Sequence, residues 1–159
     1  MQFTIVCVGK LKESYWKEGV AEYTKRLQRY GKINIVELPD EKAPETMSEA
    51  QKQEVLQKEG NRITKAIPEN SFAVILAIEG KQLSSEKLSA LVTEKEVTGI
   101  SHMTFVIGGS LGVSDEVMQA GKLHLSISKM TFPHQMIRLI LLEQIYRAIK
   151  IQKNEPYHK

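Results

Sequence analysis

The sequence predicts an α/β fold: a mostly parallel, doubly wound sheet with helices on both faces. Three observations carry this. Strand-like apolar runs alternate with helical patterns along all 159 residues. One run, Phe72–Ile78 (FAVILAI), is apolar at every position, as a central parallel strand buried on both faces requires. Gly9, Gly31, Pro39, Pro68 and Gly99 punctuate the segments at their ends.

The elements follow in order. Gln2–Val8 is the first strand, closed by Gly9. Ser14 is placed to cap a helix that runs to about Tyr30, with Gly31 as its stop. Its apolar positions Trp16, Val20, Tyr23, Leu27 and Tyr30 repeat at four, three, four and three, one helical face, so they read as core. Ile33–Leu38 is the second strand. A polar loop, Asp40–Thr46, leads to Ser48, which begins a charged helix to about Ala66 with Leu56, Gly60, Ile63 and Ile67 inward; Pro68 ends it. The fully apolar third strand is followed by Glu79-Gly80-Lys81. Ser84 or Ser85 caps a helix with Leu88, Leu91 and Val92 inward, and Gly99 closes it. His102–Ile107 is the fourth strand and Leu123–Ile127 a short fifth. Pro133 fits the first turn of the last helix, which runs to about Lys150. With no linker or repeat, the whole chain, 1–159, is expected to be one domain.

Composition excludes several classes. No apolar run reaches the length of a membrane helix. The first residues carry no basic region or small-residue cleavage site, so they read as a strand and not a signal peptide. The single cysteine, Cys7, lies within that strand and reads as a buried inert thiol; a reducing cytoplasm fits. The four histidines, His102, His124, His134 and His158, have no ligand-like spacing, so no metal site is expected. Net charge is +3, unevenly spread: +4 over residues 1–32, −4 over 33–60, balanced over 61–130 and +3 over 131–159. Basic ends suit a polyanion partner; two solvated faces of opposite sign would give the same pattern.

The chemistry concentrates between Phe105 and Arg147. The strand ending at Ile107 opens into Gly108-Gly109-Ser110-Leu111-Gly112, where the backbone can approach a ligand closely. This is neither the dinucleotide fingerprint nor a phosphate loop, and by itself it is also what a tight βα turn needs. Ser126-Ile127-Ser128-Lys129-Met130-Thr131-Phe132 is too rich in hydroxyls to continue a buried strand. Free N–H groups before the last helix favour a polar ligand edge, so the two loops are expected to form two sides of one pocket. On that helix Glu143, Arg147 and Lys150 form the wet side and Leu141, Leu142, Ile145 and Ile149 the opposite one. Arg138 falls in the middle of the apolar side, where a charge needs a partner: an acidic group or a subunit interface. The helix is apolar around most of its circumference, which makes a second chain a plausible cover. Tyr157 and His158, in a tail that would fray by default, could stack on a base and handle a proton.

Phe105-Val-Ile-Gly-Gly-Ser-Leu-Gly112, Leu125-Ser-Ile-Ser-Lys-Met-Thr-Phe-Pro-His134, Arg138, Leu142-Glu-Gln-Ile-Tyr-Arg147 and Asn154-Glu-Pro-Tyr-His158, with Val6-Cys-Val-Gly-Lys10 at the start, resemble the RlmH family across essentially the whole chain. These are bacterial ribosomal RNA large subunit methyltransferases of the SPOUT class. The resemblance implies a C-terminal trefoil knot, in which the segment from about Ile127 to the last helix threads an earlier loop. It implies a cytoplasmic homodimer using S-adenosyl-L-methionine, with the cofactor pocket in the knot near the subunit interface. The implied substrate is a pseudouridine in the helix 69 loop of 23S rRNA, methylated at N3 in the assembled ribosome.

Carried over by position, the resemblance implies cofactor contacts at Leu76, Gly108, Ile127, Ser128, Lys129, Met130, Thr131 and Phe132. It places His134, Arg138, Tyr157 and His158 around the substrate. His158, with Tyr157, is the candidate for positioning the base or accepting its proton, and Arg138 for pairing with a phosphate or the cofactor carboxylate. Lys25, Arg26, Arg29 and Lys153 are candidates for rRNA phosphates. Two other readings stay open: a non-enzymatic ribosome- or RNA-binding protein, and, disfavoured by the misplaced glycines, a flavodoxin-like or nicotinamide enzyme.

Overall fold

A computed structural model describes residues 1–159. Five strands form one sheet in the order β2-β1-β4-β3-β5, every pairing parallel. The strands are β1 (Gln2–Val8), β2 (Ile33–Leu38), β3 (Phe72–Gln82), β4 (His102–Ile107) and β5 (Leu123–Ser126). The helices are α1 (Ser14–Leu27), α2 (Glu49–Ala66), α3 (Ser85–Val97), α4 (Asp115–Ala120) and α5 (His134–Gln152).

Side-chain alternation divides the core into two layers. Phe3, Ile5 and Cys7 of β1, with Phe105 and Ile107 of β4, face a cluster completed by Val20 and Leu27 of α1, Val92 of α3 and Leu141, Leu142, Ile145 and Ile149 of α5. Val6 and Val8, with Ile75 and Val106, face Ile63 of α2 and Val117 of α4. Helices therefore cover both faces, as the apolar β3 run requires. Burial of side chains this size is worth about 1.5–3 kcal/mol each before conformational entropy is charged against it.

Caps set the helix starts. Ser48 makes a full capping box with Gln51, and Ser84 and Ser114 accept from Lys87 N and Val117 N. Gly99, at φ +90°, follows the last turn of α3 in the left-handed conformation that favours glycine.

Four expectations are corrected. α1 ends at Leu27, and Glu13 rather than Ser14 holds its N-cap position, without a side-chain bond. Pro133 is the N-cap of α5 rather than its first helical residue, and the helix continues to Gln152. The inward residues of α2 are Val55, Glu59, Gly60 and Ile63; Leu56 and Ile67 are only half-buried. α4, a helix of six residues, lies within what the sequence suggested was loop; a single capped turn is too short to show a period.

The consequential difference is at β3. It passes Ile78 and reaches Gln82 by bulging: Leu76 and Lys81 both pair with Leu125, so 77–80 leave the ladder. A Cβ on Gly80 would stand 2.7 Å from the carbonyl carbon of His124 and 2.9 Å from that of Leu125, so only glycine allows this approach to β5.

α5 lies between α1 and α3, which accounts for much of its apolar circumference within one chain. Ser89 of α3 donates to the Ala148 carbonyl at 2.7 Å, and Leu139 of α5 packs on Gly19 of α1.

Candidate functional site

The carboxyl ends of β3, β4 and β5 open into a cavity of about 850 Å³. That is within the size range of sites for cofactors and other small molecules. The β3 bulge forms one wall, Gly108–Val113 a second, and Ile127–His134 the third. Leu76, Ile107 and Leu125 supply apolar surface, and the exposed Ile78 and Met130 stand at the rim.

Two backbone features shape this space. A Cβ on Gly108 would meet Gly112 O at 2.5 Å, so the glycine turn folds tightly on itself and presents main chain to the cavity. Gly112, at φ +84°, closes the turn with its N–H on Gly109 O at 3.0 Å. In the third wall, no N–H from Ile127 to Phe132 donates to another backbone group. Met130 N–H reaches only Ser128 Oγ, and Ser126 Oγ donates to Ser128 O. These unspent donors and acceptors match the hydrogen-bonding edge of a planar base. A base, a ribose and an aliphatic chain fit the mixture of apolar floor and polar main chain, and Glu79 and Asp115 in the lining suit a cationic centre.

Of the expected cofactor residues, Leu76, Gly108, Ile127, Ser128, Met130, Thr131 and Phe132 all line this one cavity. Lys129 is exposed within the same loop but does not line it. The sequence did not foreshadow Ala77, Ile78, Glu79, Asp115 and Met118, which line it as well. Gly80, isolated after an apolar strand, was the available sign of a bulge.

The four expected substrate-side residues divide. His134 lines the cavity. Burial holds its imidazole below the ordinary value; the Arg138 guanidinium pushes the same way and Asp40 opposes it. Arg138 does not reach the lining. It is 1% exposed, with Nη1 2.7 Å from Glu37 Oε2 and Nη2 donating to Gly9 O at 3.1 Å. The acidic partner its position demanded is Glu37 of the same chain, at the carboxyl end of β2. The guanidinium thus holds the β1 end and the β2 end together.

Tyr157 and His158 lie elsewhere. Tyr157 OH donates to Glu143 Oε1 at 3.1 Å and lies 3.3 Å from Tyr23 OH, with its ring 4.9 Å from that of Tyr146. Burial raises the Tyr157 phenol, and its hydroxyl and acidic neighbours add to the rise. His158 Nδ1 is 3.1 Å from Arg147 Nη1, and Nε2 is 2.8 Å from Glu86 Oε1. Arg147, beside this tail, is thirteen residues past His134, about 20 Å along the helix axis. One chain therefore does not bring Tyr157 and His158 to its own cavity.

A further acidic group sits behind the glycine turn. Glu59 is 5% exposed; Oε2 accepts from Glu41 N–H at 3.0 Å, and Oε1 would lie 3.0 Å from a Cβ on Gly109. Burial raises its carboxyl above the ordinary value.

The family model described as "Predicted SPOUT methyltransferase" matches residues 1–158. The chain is similar to proteins named "Ribosomal RNA large subunit methyltransferase H" from Carboxydothermus hydrogenoformans, 53% identical, Enterococcus faecalis, 52%, and Bacillus thuringiensis, 54%. Each match spans 159 residues and the whole of both chains. With a parallel α/β sheet and a cavity at its carboxyl edge, the chain belongs to the SPOUT methyltransferases and, among them, to the RlmH family.

Proposed function

We propose that this chain methylates N3 of a pseudouridine in the helix 69 loop of 23S rRNA, in the assembled ribosome in the cytoplasm, with S-adenosyl-L-methionine as donor. The observation that carries the reading is the single cavity formed by Leu76, Gly108 and Ile127–Phe132 with their unspent backbone groups. When bound, the donor supplies a methyl group on a positively charged sulfur. The protein's share is alignment. The main chain of residues 127–132 holds the base edge, Leu76, Ile107 and Leu125 pack the apolar parts, and the glycine turn sets how close the substrate comes.

The working form in this reading is a homodimer. What supports it is the placement of Tyr157 and His158 away from their own cavity, together with half-exposed Met136 and Ile140 on the amino half of α5. The trefoil knot belongs to the same reading; the passage of the Gly80 bulge hard against β5 supports it. Lys25 on α1 and Arg29 in the turn that follows it, both exposed, with Lys153, would meet rRNA phosphates. Arg26 would present a guanidinium stacked 4.9 Å from the Tyr23 ring.

The deciding measurement is mass spectrometry of 23S rRNA from cells lacking the gene. Loss of one methyl group from the helix 69 pseudouridine is expected; an unchanged methylation state removes the reading. Calorimetry with S-adenosyl-L-methionine separates it from a non-enzymatic ribosome-binding role, in which the pure protein would bind no donor.

A further inference from the structure

We infer that His134 is the residue that takes the proton from the base nitrogen during methyl transfer. This deepens the proposed rRNA methylation and rests on it.

His134 is the only imidazole that lines the cavity. It opens α5 directly after the Ile127–Phe132 wall, so its position is set by the same loop that shapes the donor site. No hydrogen bond within the chain engages its ring, and neither nitrogen is a buried orphan. A nitrogen is therefore free to accept. His158 is differently placed: both of its nitrogens face partners, Arg147 and Glu86. Tyr157 donates its hydroxyl proton to Glu143. That pair is suited to shaping the substrate, not to receiving its proton. The cavity's other titratable groups, Glu79 and Asp115, are exposed.

The surroundings keep His134 neutral before reaction. Burial and Arg138 both disfavour its imidazolium, while Asp40, from the loop after β2, favours it. The positive end of α5 adds to the first effect. Arg138 faces His134 from the next turn and is itself held by Glu37 and the Gly9 carbonyl. Gly9 forms the floor beneath the ring: a Cβ there would lie 3.9 Å from His134 Nε2. On β1, burial pushes the Cys7 thiol up to about 11, so it brings no charge near neutral pH.

The step balances. The N3–H bond breaks as a carbon–nitrogen bond forms and the carbon–sulfur bond breaks. Sulfur keeps the electron pair of its broken bond and becomes neutral. The proton passes to a ring nitrogen of His134, which becomes imidazolium and later returns the proton to water.

The test is single-turnover transfer of labelled methyl to ribosomes from cells lacking the gene, across pH 5.5–8.5 (about one unit or more to either side of the usual histidine value). The unaltered protein should slow as pH falls through a midpoint below about 6.5, because protonated His134 accepts nothing. His134→Gln should lose that acid limb and slow by about 100-fold or more, with donor binding by calorimetry unchanged. Added imidazole should restore part of the rate of His134→Ala. His158→Gln should keep the acid limb. A retained limb in His134→Gln, or a rate loss that follows donor binding with no imidazole rescue, overturns the inference while methylation stands. No transfer by the unaltered protein overturns both.

Discussion

Arg138 and Glu37 are 101 residues apart in the chain and 2.7 Å apart in space. The pair is asymmetric: the guanidinium side chain is 1% exposed, whereas 36% of the carboxylate side chain remains open to water. Arg138 Nε has no partner. The two partners should therefore differ when removed. Glu37→Ala leaves a buried charge and should cost about 3 kcal/mol, the low end for a broken buried pair because Glu37 is partly solvated. Arg138→Met leaves a carboxylate that water can reach and should change stability by about 1 kcal/mol or less. Urea unfolding measures both, and equal costs would contradict the asymmetry.

Glu59 sets a pH dependence of stability. Its carboxyl is raised in the folded state, so between the unfolded value and the folded one the folded chain binds more protons. Stability then falls as pH rises through that window, and this penalty is absent below the unfolded value. Glu59→Gln keeps an oxygen for Glu41 N–H and cannot ionise. Its stability relative to the unaltered protein should improve from pH 4 to pH 8, read as a rising difference in urea midpoint. A constant difference would mean the carboxyl is not perturbed.

The glycine turn offers a clean comparison of site and scaffold. Gly108→Ala puts a methyl group 2.5 Å from Gly112 O and should reduce donor binding at least tenfold by calorimetry. Gly99→Ala meets no atom within 4 Å but is strained at φ +90°. It should cost about 1–2 kcal/mol of stability and leave donor binding intact.

Ribosome binding should weaken steeply with salt if Lys25 and Arg29 neutralise phosphates. Each exposed cation replaced by Gln should lower affinity and reduce the slope of log affinity against log salt by about 1. Filter binding at several salt concentrations reads both, and an unchanged slope would remove these residues from the interface.

Three of the expected substrate residues show what sequence position alone could not supply. Arg138 lay on the apolar side of α5 by the 100° count, which correctly demanded a partner. No local pattern could name Glu37, because the pairing is made by a crossover that returns β2 beside β1. Tyr157 and His158 stood within one motif, yet Glu143, Arg147 and Glu86 hold them along α5, away from the cavity. The β3 bulge escaped for a related reason: residues 77–80 leave the ladder only because β5 pairs on both sides of them.

By itself the sequence determined where the five strands lie, the starts of α2 and α3, the two-faced burial of β3, and two of the loops that line the cavity. Those depend on period, caps and glycine conformation, all local properties of the chain. Tertiary structure decided the order β2-β1-β4-β3-β5, the wall of the cavity made by the β3 bulge, the partner of Arg138 and the separation of His134 from His158. Those depend on which distant segments the burial of two opposite sheet faces brings together, and a periodic pattern shows that a face must be covered without showing by what.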